Sequence, residues 1–173
     1  MLERLFSKEM DGSFEKLYCP AFNTLLSIYF PWDGGYTVTP VTYPENMALS
    51  ADFIVAFIVS QKDVPVFFID LKPPKDLRFP SKRETADSQI RSRFDLLWRD
   101  CPLDELYGIS AFGTKFAVYV GNKKKDEVIP ETSGEVPLVW WENDLLTMQG
   151  ANKLRQIIAD IRTKCTNMEK TYN

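Results

Sequence analysis

The hydrophobic pattern of the chain is densest over residues 52–72, where two apolar runs are separated by four polar residues. The runs, 52–59 and 64–69, are rich in Val, Ile and Phe, which favour β-strands, and the polar residues 60–63 between them predict a turn. Neither run alternates between apolar and polar residues, so we expect each strand to be covered on both faces. The pattern therefore predicts an antiparallel hairpin in the middle of a sheet.

Apolar residues recur at helical spacing over 14–29, over a segment that begins near Lys82, and near the end of the chain, where Asn143 or Asp144 is the expected N-cap. Ser81 and Glu84 have the form of a capping box. Alternating residues on either side of Gly113 predict a second hairpin. The element order predicts one α+β (mixed α/β) domain over residues 1–173, with a central mixed sheet, antiparallel hairpins and helices on both faces.

The composition excludes several classes of chemistry and of protein. The chain has no histidine, which removes Ser-His and Cys-His catalysis and histidine-ligated metals, and its three cysteines are too few and too scattered for a disulfide framework. The charged N-terminus is unlike a signal peptide, and no apolar run reaches the roughly 20 residues of a membrane helix. We therefore expect an intracellular protein of the nucleus or cytoplasm that has no membrane partner.

The candidate functional residues are charged side chains at the ends of the predicted central hairpin. The first strand begins where the second ends, so we expect Asp52 and Asp70 at one edge of the sheet, and Lys72 on the same face as Asp70. Two carboxylates and an amine at the rim of a core are the groups that a metal-dependent phosphodiesterase uses. The same residues could instead be solvated side chains where a buried strand emerges.

The spacing of these residues resembles the PD-(D/E)XK nuclease superfamily. Asp52 is followed eighteen residues later by Asp70-Leu71-Lys72, and Gln89 lies on the next predicted helix. The sequence segments IDLKPP, SQIRSRF and YGISAFGT are similar to those of an expanded fungal group of that superfamily. One departure is Ala51, which stands where the motif has proline. The resemblance, centred on 14–120, implies a restriction-endonuclease-like core.

The resemblance also implies roles for individual residues. Asp52 and Asp70 would bind Mg²⁺, for which Mn²⁺ can substitute, and the backbone carbonyl of Leu71 would be a third ligand. Lys72 would position or activate the attacking water, and Gln89 would orient the site. Glu15, on the first predicted helix, is the candidate for a further acidic ligand.

Basic residues that follow the candidate site could bind the phosphates of a nucleic acid, although such a charge run is also typical of a solvated helix face. Lys82 and Arg93 share one shoulder of the predicted helix with Gln89. The candidates for phosphate contacts are Lys75, Lys82, Arg83 and Arg93. We therefore expect a nuclease that cleaves DNA, with RNA the less favoured substrate. The alternative is a weak or inactive nuclease-fold protein that acts as an interaction module or effector, and a homodimer or protein partner is left open.

Overall fold

The chain has an α+β fold, as predicted, and the computed structural model describes residues 5–6, 15–44, 53–132 and 134–172. Its α-helices in that part of the chain are α1 (Cys19–Tyr29), α2 (Pro80–Trp98) and α3 (Met148–Tyr172). Its strands are β1 (Tyr36–Pro44), β2 (Phe53–Gln61), β3 (Val64–Lys72), β4 (Glu105–Phe112), β5 (Lys115–Asn122), β6 (Glu127–Ile129) and β7 (Asn143–Asp144). None of the helices among these residues combines the length and the hydrophobicity that crossing a bilayer requires.

The strands form one mixed sheet in the order β1-β2-β3-β4-β5-β6, and β7 pairs with β5. All neighbouring strands are antiparallel except β3 and β4, which are parallel and are connected through α2. A parallel pair needs such a crossover because its second strand must start at the same end as its first. The crossover carries α2 past the C-terminal end of β3, where the candidate residues lie.

The predicted central hairpin is confirmed. Strands β2 and β3 are the second and third strands along the sheet, and β3 is buried over most of its length. The chain reverses at Lys62 and Asp63, which both have positive φ (50° and 69°). Two consecutive residues of that kind form the turn whose twist matches that of antiparallel strands.

Helices cover both faces of the sheet, as predicted. On one face, Phe94 of α2 packs against Phe68 of β3 with ring centroids 5.0 Å apart. On the other face, Phe30 at the end of α1 contacts Phe67 with ring centroids 5.6 Å apart. Tyr107 of β4 lies opposite Phe67 in the ladder and donates to a side chain of α3. The face covered by α2 is therefore separated by the sheet from α1 and α3.

The predicted capping box at the start of α2 is wrong. The helix begins at Pro80, and Phe79 occupies the N-cap without a side-chain hydrogen bond. Proline suits the first turn because its fixed φ is helical and its missing N–H would have had no helical partner. Ser81 and Glu84 therefore lie inside α2, as its second and fifth residues.

The predicted N-cap of α3 is also wrong, because Asn143 and Asp144 pair with β5 as a short strand. The cap is Thr147, whose hydroxyl accepts a hydrogen bond from the backbone N–H of Gly150 at 3.0 Å. The predicted apolar face of this helix is confirmed, since its residues are buried: Leu154, Ile158, Ile161 and Cys165.

Candidate functional site

Asp70 lies at the centre of the candidate site and is buried inside the protein. It belongs to β3, and only 1% of its surface is exposed. Neither of its carboxylate oxygens accepts a hydrogen bond from the residues that the structure describes. Buried carboxylates in folded proteins are normally paired with charges or hydrogen-bonded. Asp70 is therefore a buried carboxylate whose two oxygens can still accept hydrogen bonds or bind a cation.

The side chain of Arg93 lies beside this carboxylate. Its Nε is 3.5 Å from Oδ1 of Asp70, and both side chains are almost completely buried. Burial raises the pKa of the Asp70 carboxyl above its ordinary value, and the positive charges of Lys72 and Arg93 oppose that rise. Arg93 was predicted as a phosphate contact, but its buried guanidinium faces Asp70 instead. The guanidinium of Arg93 therefore balances the negative charge of the Asp70 carboxylate.

Lys72 forms a hydrogen bond with a residue of α2. Its Nζ donates a hydrogen bond to Oε1 of Gln89, and both residues are half-buried. Because side chains two apart on a strand share a face, Lys72 and Asp70 both project toward α2. The structure thus brings together four of the predicted residues: Asp70, Lys72, Gln89 and Arg93.

The remaining basic candidates divide into exposed and buried residues. Lys75 and Lys82 are exposed, on the segment that follows Lys72 and in the first turn of α2. Arg83 is buried, and its guanidinium donates to the backbone carbonyls of Val136 and Leu77, both at 3.0 Å. This position argues against a phosphate contact by Arg83, which instead anchors α2 to two loops.

The structure does not test three of the predicted ligands. Asp52 lies outside the described residues, whose second strand begins at Phe53. The register places Ala56 opposite Asp70, so the described ladder does not itself pair the two aspartates. Leu71 lies next to Asp70 in β3 with its side chain buried. Glu15 belongs to a short 3-10 turn, and its side chain is likewise outside the description.

Ser110 of β4 is a site residue that the hydrophobic pattern did not reveal. It is completely buried, it lies directly opposite Asp70 in the parallel ladder, and its hydroxyl has no hydrogen-bond partner among the described residues. The available signal was a serine inside an otherwise apolar strand. That signal identifies a buried polar residue but not its neighbour, which depends on the pairing of two strands distant in sequence.

Asp87 of α2 is buried, which the charge pattern of the helix did not indicate. It accepts hydrogen bonds from Tyr119 at 3.1 Å and from Arg91 at 3.0 Å. Burial and the Asp87 carboxylate raise the pKa of Tyr119. Arg91 also donates to the carbonyl of Pro130 at 2.5 Å. Among the described residues this network connects α2 to β5 and to the loop after β6, and the hydrogen bonds named here do not reach Asp70.

Asp70 supplies only part of the oxygen ligands that a hard cation such as Mg²⁺ needs. A buried carboxylate whose oxygens accept no hydrogen bond is a suitable ligand for Mg²⁺, which prefers oxygen. Within the described ranges, no three acidic or cysteine residues cluster closely enough to hold a metal ion by themselves. The further ligands would therefore come from backbone, hydroxyl or water oxygens and from Asp52.

Comparisons of the chain with protein-family models, with curated proteins and with solved structures find no match in any of the three. The resemblance to PD-(D/E)XK nucleases therefore stays a prediction that rests on the residues named above.

Proposed function

We propose that this protein is a metal-dependent nuclease that hydrolyses phosphodiester bonds in DNA, with RNA the less favoured substrate. The observation that carries the proposal is the position of Asp70. It is a buried carboxylate with free acceptor capacity, and it shares its face of the sheet with a lysine that Gln89 holds. A buried carboxylate is unfavourable unless charges or ligands compensate for it; Arg93 supplies one charge, and functional sites are where proteins retain such groups.

Each residue has a stated part in this proposal. Asp70, with Asp52 and the carbonyl of Leu71, would hold Mg²⁺ or Mn²⁺, which supplies charge neutralisation at the phosphate and a more acidic bound water. Lys72 carries a positive charge that would stabilise the negative charge developing on the phosphate. The hydrogen bond to Gln89 limits the rotamers of Lys72, so its ammonium is oriented before substrate binds.

The exposed lysines near the site would bind the nucleic-acid backbone. Lys75 and Lys82 are exposed on the segment and helix that follow Lys72. Because the chain carries a net charge of −3, attraction to a polyanion must come from a local patch of this kind.

The second candidate is an interaction module with a nuclease-like arrangement but no catalysis. The ion pair between Arg93 and Asp70 favours it, because the guanidinium already neutralises the carboxylate that a cation would need. The absence of a three-residue acidic cluster in the described part of the chain favours it as well.

Substitution of Lys72 separates the two candidates. We expect Lys72→Ala to reduce cleavage of plasmid DNA in Mg²⁺ by about 10² to 10³-fold, the usual effect of losing one group that stabilises the transition state. Calorimetric Mn²⁺ affinity and the unfolding midpoint should be nearly unchanged, because Lys72 is a half-buried residue at a strand end. The matched control is Lys153→Ala, an exposed lysine of α3 across the sheet, which should cleave like the wild type.

The outcomes of this experiment are distinct. Wild-type protein that cleaves no single- or double-stranded DNA or RNA in Mg²⁺ or Mn²⁺ would contradict the nuclease proposal and favour the interaction module. Full activity in the Lys72→Ala protein would contradict the role given to this lysine.

A further inference from the structure

The strands place a row of small residues across the sheet at the level of Asp70. Ala56 of β2 pairs with Asp70, Asp70 pairs with Ser110 of β4, and Ser110 pairs with Ala117 of β5. Residues paired in this way share a face of the sheet. This row lies on the face that α2 covers, because Arg93 of that helix contacts Asp70.

The neighbouring rows on the same face hold larger side chains. Phe68 lies two residues before Asp70, and its ring fills the space beside Gly108, where an added Cβ would come within 2.5 Å of the ring. Lys72 lies two residues after Asp70 and is paired with Phe112. The row that contains Asp70 therefore has shorter side chains than the rows on either side of it.

Two buried polar groups that lack a hydrogen-bond partner among the described residues meet in this row, and one of them, the Asp70 carboxylate, also forms an ion pair with Arg93 at 3.5 Å. The Ser110 hydroxyl is 0% exposed and has no hydrogen-bond partner among the described residues, and the same is true of both oxygens of Asp70. Paired strands are separated by about 4.8 Å, so the serine oxygen and the carboxylate are near neighbours. A buried polar group without a partner is unfavourable and rare, and an ion or water is a common explanation.

We propose that the Ser110 hydroxyl is an oxygen ligand of the divalent cation that Asp70 holds. This inference rests on the proposed function and adds a ligand to that site. A carboxylate and a neutral hydroxyl are both hard oxygen ligands, which suit Mg²⁺ and Mn²⁺. The cation would satisfy both groups at once, and it would explain why a serine lies in a strand whose neighbouring positions are apolar.

Calorimetric titration with Mn²⁺ and Cd²⁺ tests the proposal on Ser110→Ala, Ser110→Cys and the control Ser92→Ala. Ser92 is an exposed serine of α2 whose hydroxyl donates to the carbonyl of Ser88. We expect Ser110→Ala to weaken Mn²⁺ binding about tenfold, within the range for losing a group in a metal site. We expect Ser110→Cys to bind Mn²⁺ more weakly and Cd²⁺ more tightly than wild type, because a thiolate is a soft ligand. The control should match wild type.

The unfolding midpoint of Ser110→Ala gives a second readout. A purely structural role of the Ser110 hydroxyl predicts a lower midpoint, whereas the role of metal ligand does not. Ser110→Ala removes a buried hydroxyl without a partner, so in metal-free buffer its midpoint should equal or exceed that of wild type. Wild type that binds Mn²⁺ with an affinity unchanged by Ser110→Ala would overturn this inference and leave the proposed function standing. A lower midpoint together with weaker binding would overturn it in favour of a structural role. Wild type that binds no divalent cation would overturn both.

Discussion

Removal of Arg93 should destabilise the protein strongly, because it leaves the charge of Asp70 buried without its partner. The two groups are 3.5 Å apart, and their side chains are 5% and 1% exposed. At an effective dielectric constant of about 20, that separation corresponds to an attraction of about 5 kcal/mol. Breaking a buried pair from one side typically costs about 3–5 kcal/mol, and we expect Arg93→Met to lower the free energy of unfolding by that amount at pH 7.

A double-mutant cycle isolates the pair from the effects of each substitution alone. Replacing both members, with Asp70→Leu and Arg93→Met, removes the buried charges together. Apolar substitutes for a buried ion pair are often neutral or stabilising, so the double variant should lie within about 1 kcal/mol of wild type. Since each single substitution breaks the pair from one side at a cost of about 3–5 kcal/mol, the coupling energy between the two positions should then be at least about 5 kcal/mol.

The pH dependence of the Arg93→Met variant adds a signature of the carboxylate. Burial already raises the pKa of Asp70, and loss of the guanidinium removes a charge that opposes this rise. The Asp70 carboxyl of the folded variant then binds a proton more tightly than in the unfolded chain. The stability of the variant should therefore fall as the pH rises from the unfolded pKa of this carboxyl through its higher folded pKa. The cost of Arg93→Met should therefore be smaller at pH 5 than at pH 7.

Urea unfolding followed by tryptophan fluorescence measures these quantities, since Trp141 is buried and reports on the core. The matched control is Arg99→Met, because Arg99 forms an ion pair with Asp100 at 3.6 Å while 90% exposed, and such pairs contribute little. A cost below about 1 kcal/mol for Arg93→Met, or single effects that add up in the double variant, would refute the reasoning.

Two further predictions concern the exposed Lys82 and the half-buried Lys164. The slope of log K for DNA binding against log salt concentration is negative, and Lys82→Gln should reduce its magnitude by about one. The control Lys153→Gln should leave the slope unaffected. An unchanged slope in Lys82→Gln would assign Lys82 to an ordinary solvated face. Lys164 donates to Asp160; although partial burial alone would raise the pKa of Asp160, the hydrogen bonds of that carboxylate lower it. Because the carboxyl pKa is depressed in the folded state, Lys164→Gln should lower stability above about pH 4 by less than about 1 kcal/mol, a loss that disappears as pH falls further. Equal losses at pH 3 and pH 7, or an equal effect of Lys124→Gln at its exposed ion pair, would contradict this prediction.

The elements and the core faces of this protein follow from local sequence. The apolar runs of the central hairpin and the apolar face of α3 are visible because strands repeat every two residues and helices every 3.6. The same local signals placed Asp70 and Lys72 on one face of a strand, and Gln89 on a helix that could reach them. These predictions needed only neighbours within a single element or one hairpin.

Helical periodicity could not determine which basic residues of α2 are exposed. Lys82, Gln89 and Arg93 share a side of the helix, yet Lys82 is exposed, Gln89 half-buried and Arg93 buried. The same helix buries Arg83, whose guanidinium donates to the carbonyl of Leu77, just before the helix, and to that of Val136, far along the chain. Whether a long basic side chain reaches solvent or a buried acceptor depends on what packs over it, and that information lies elsewhere in the chain.

Only the tertiary structure decided what surrounds the candidate site. The neighbourhood of Asp70 and Ser110 requires β3 and β4 to be parallel and in one register, although α2 and two connections separate them in sequence. A slip of one residue would move Ser110 to the opposite face, because side chains alternate along a strand. Local sequence therefore determined which strands and charged residues this protein has. The pairing of distant strands determined which of those residues meet, since register is set by packing of the whole core.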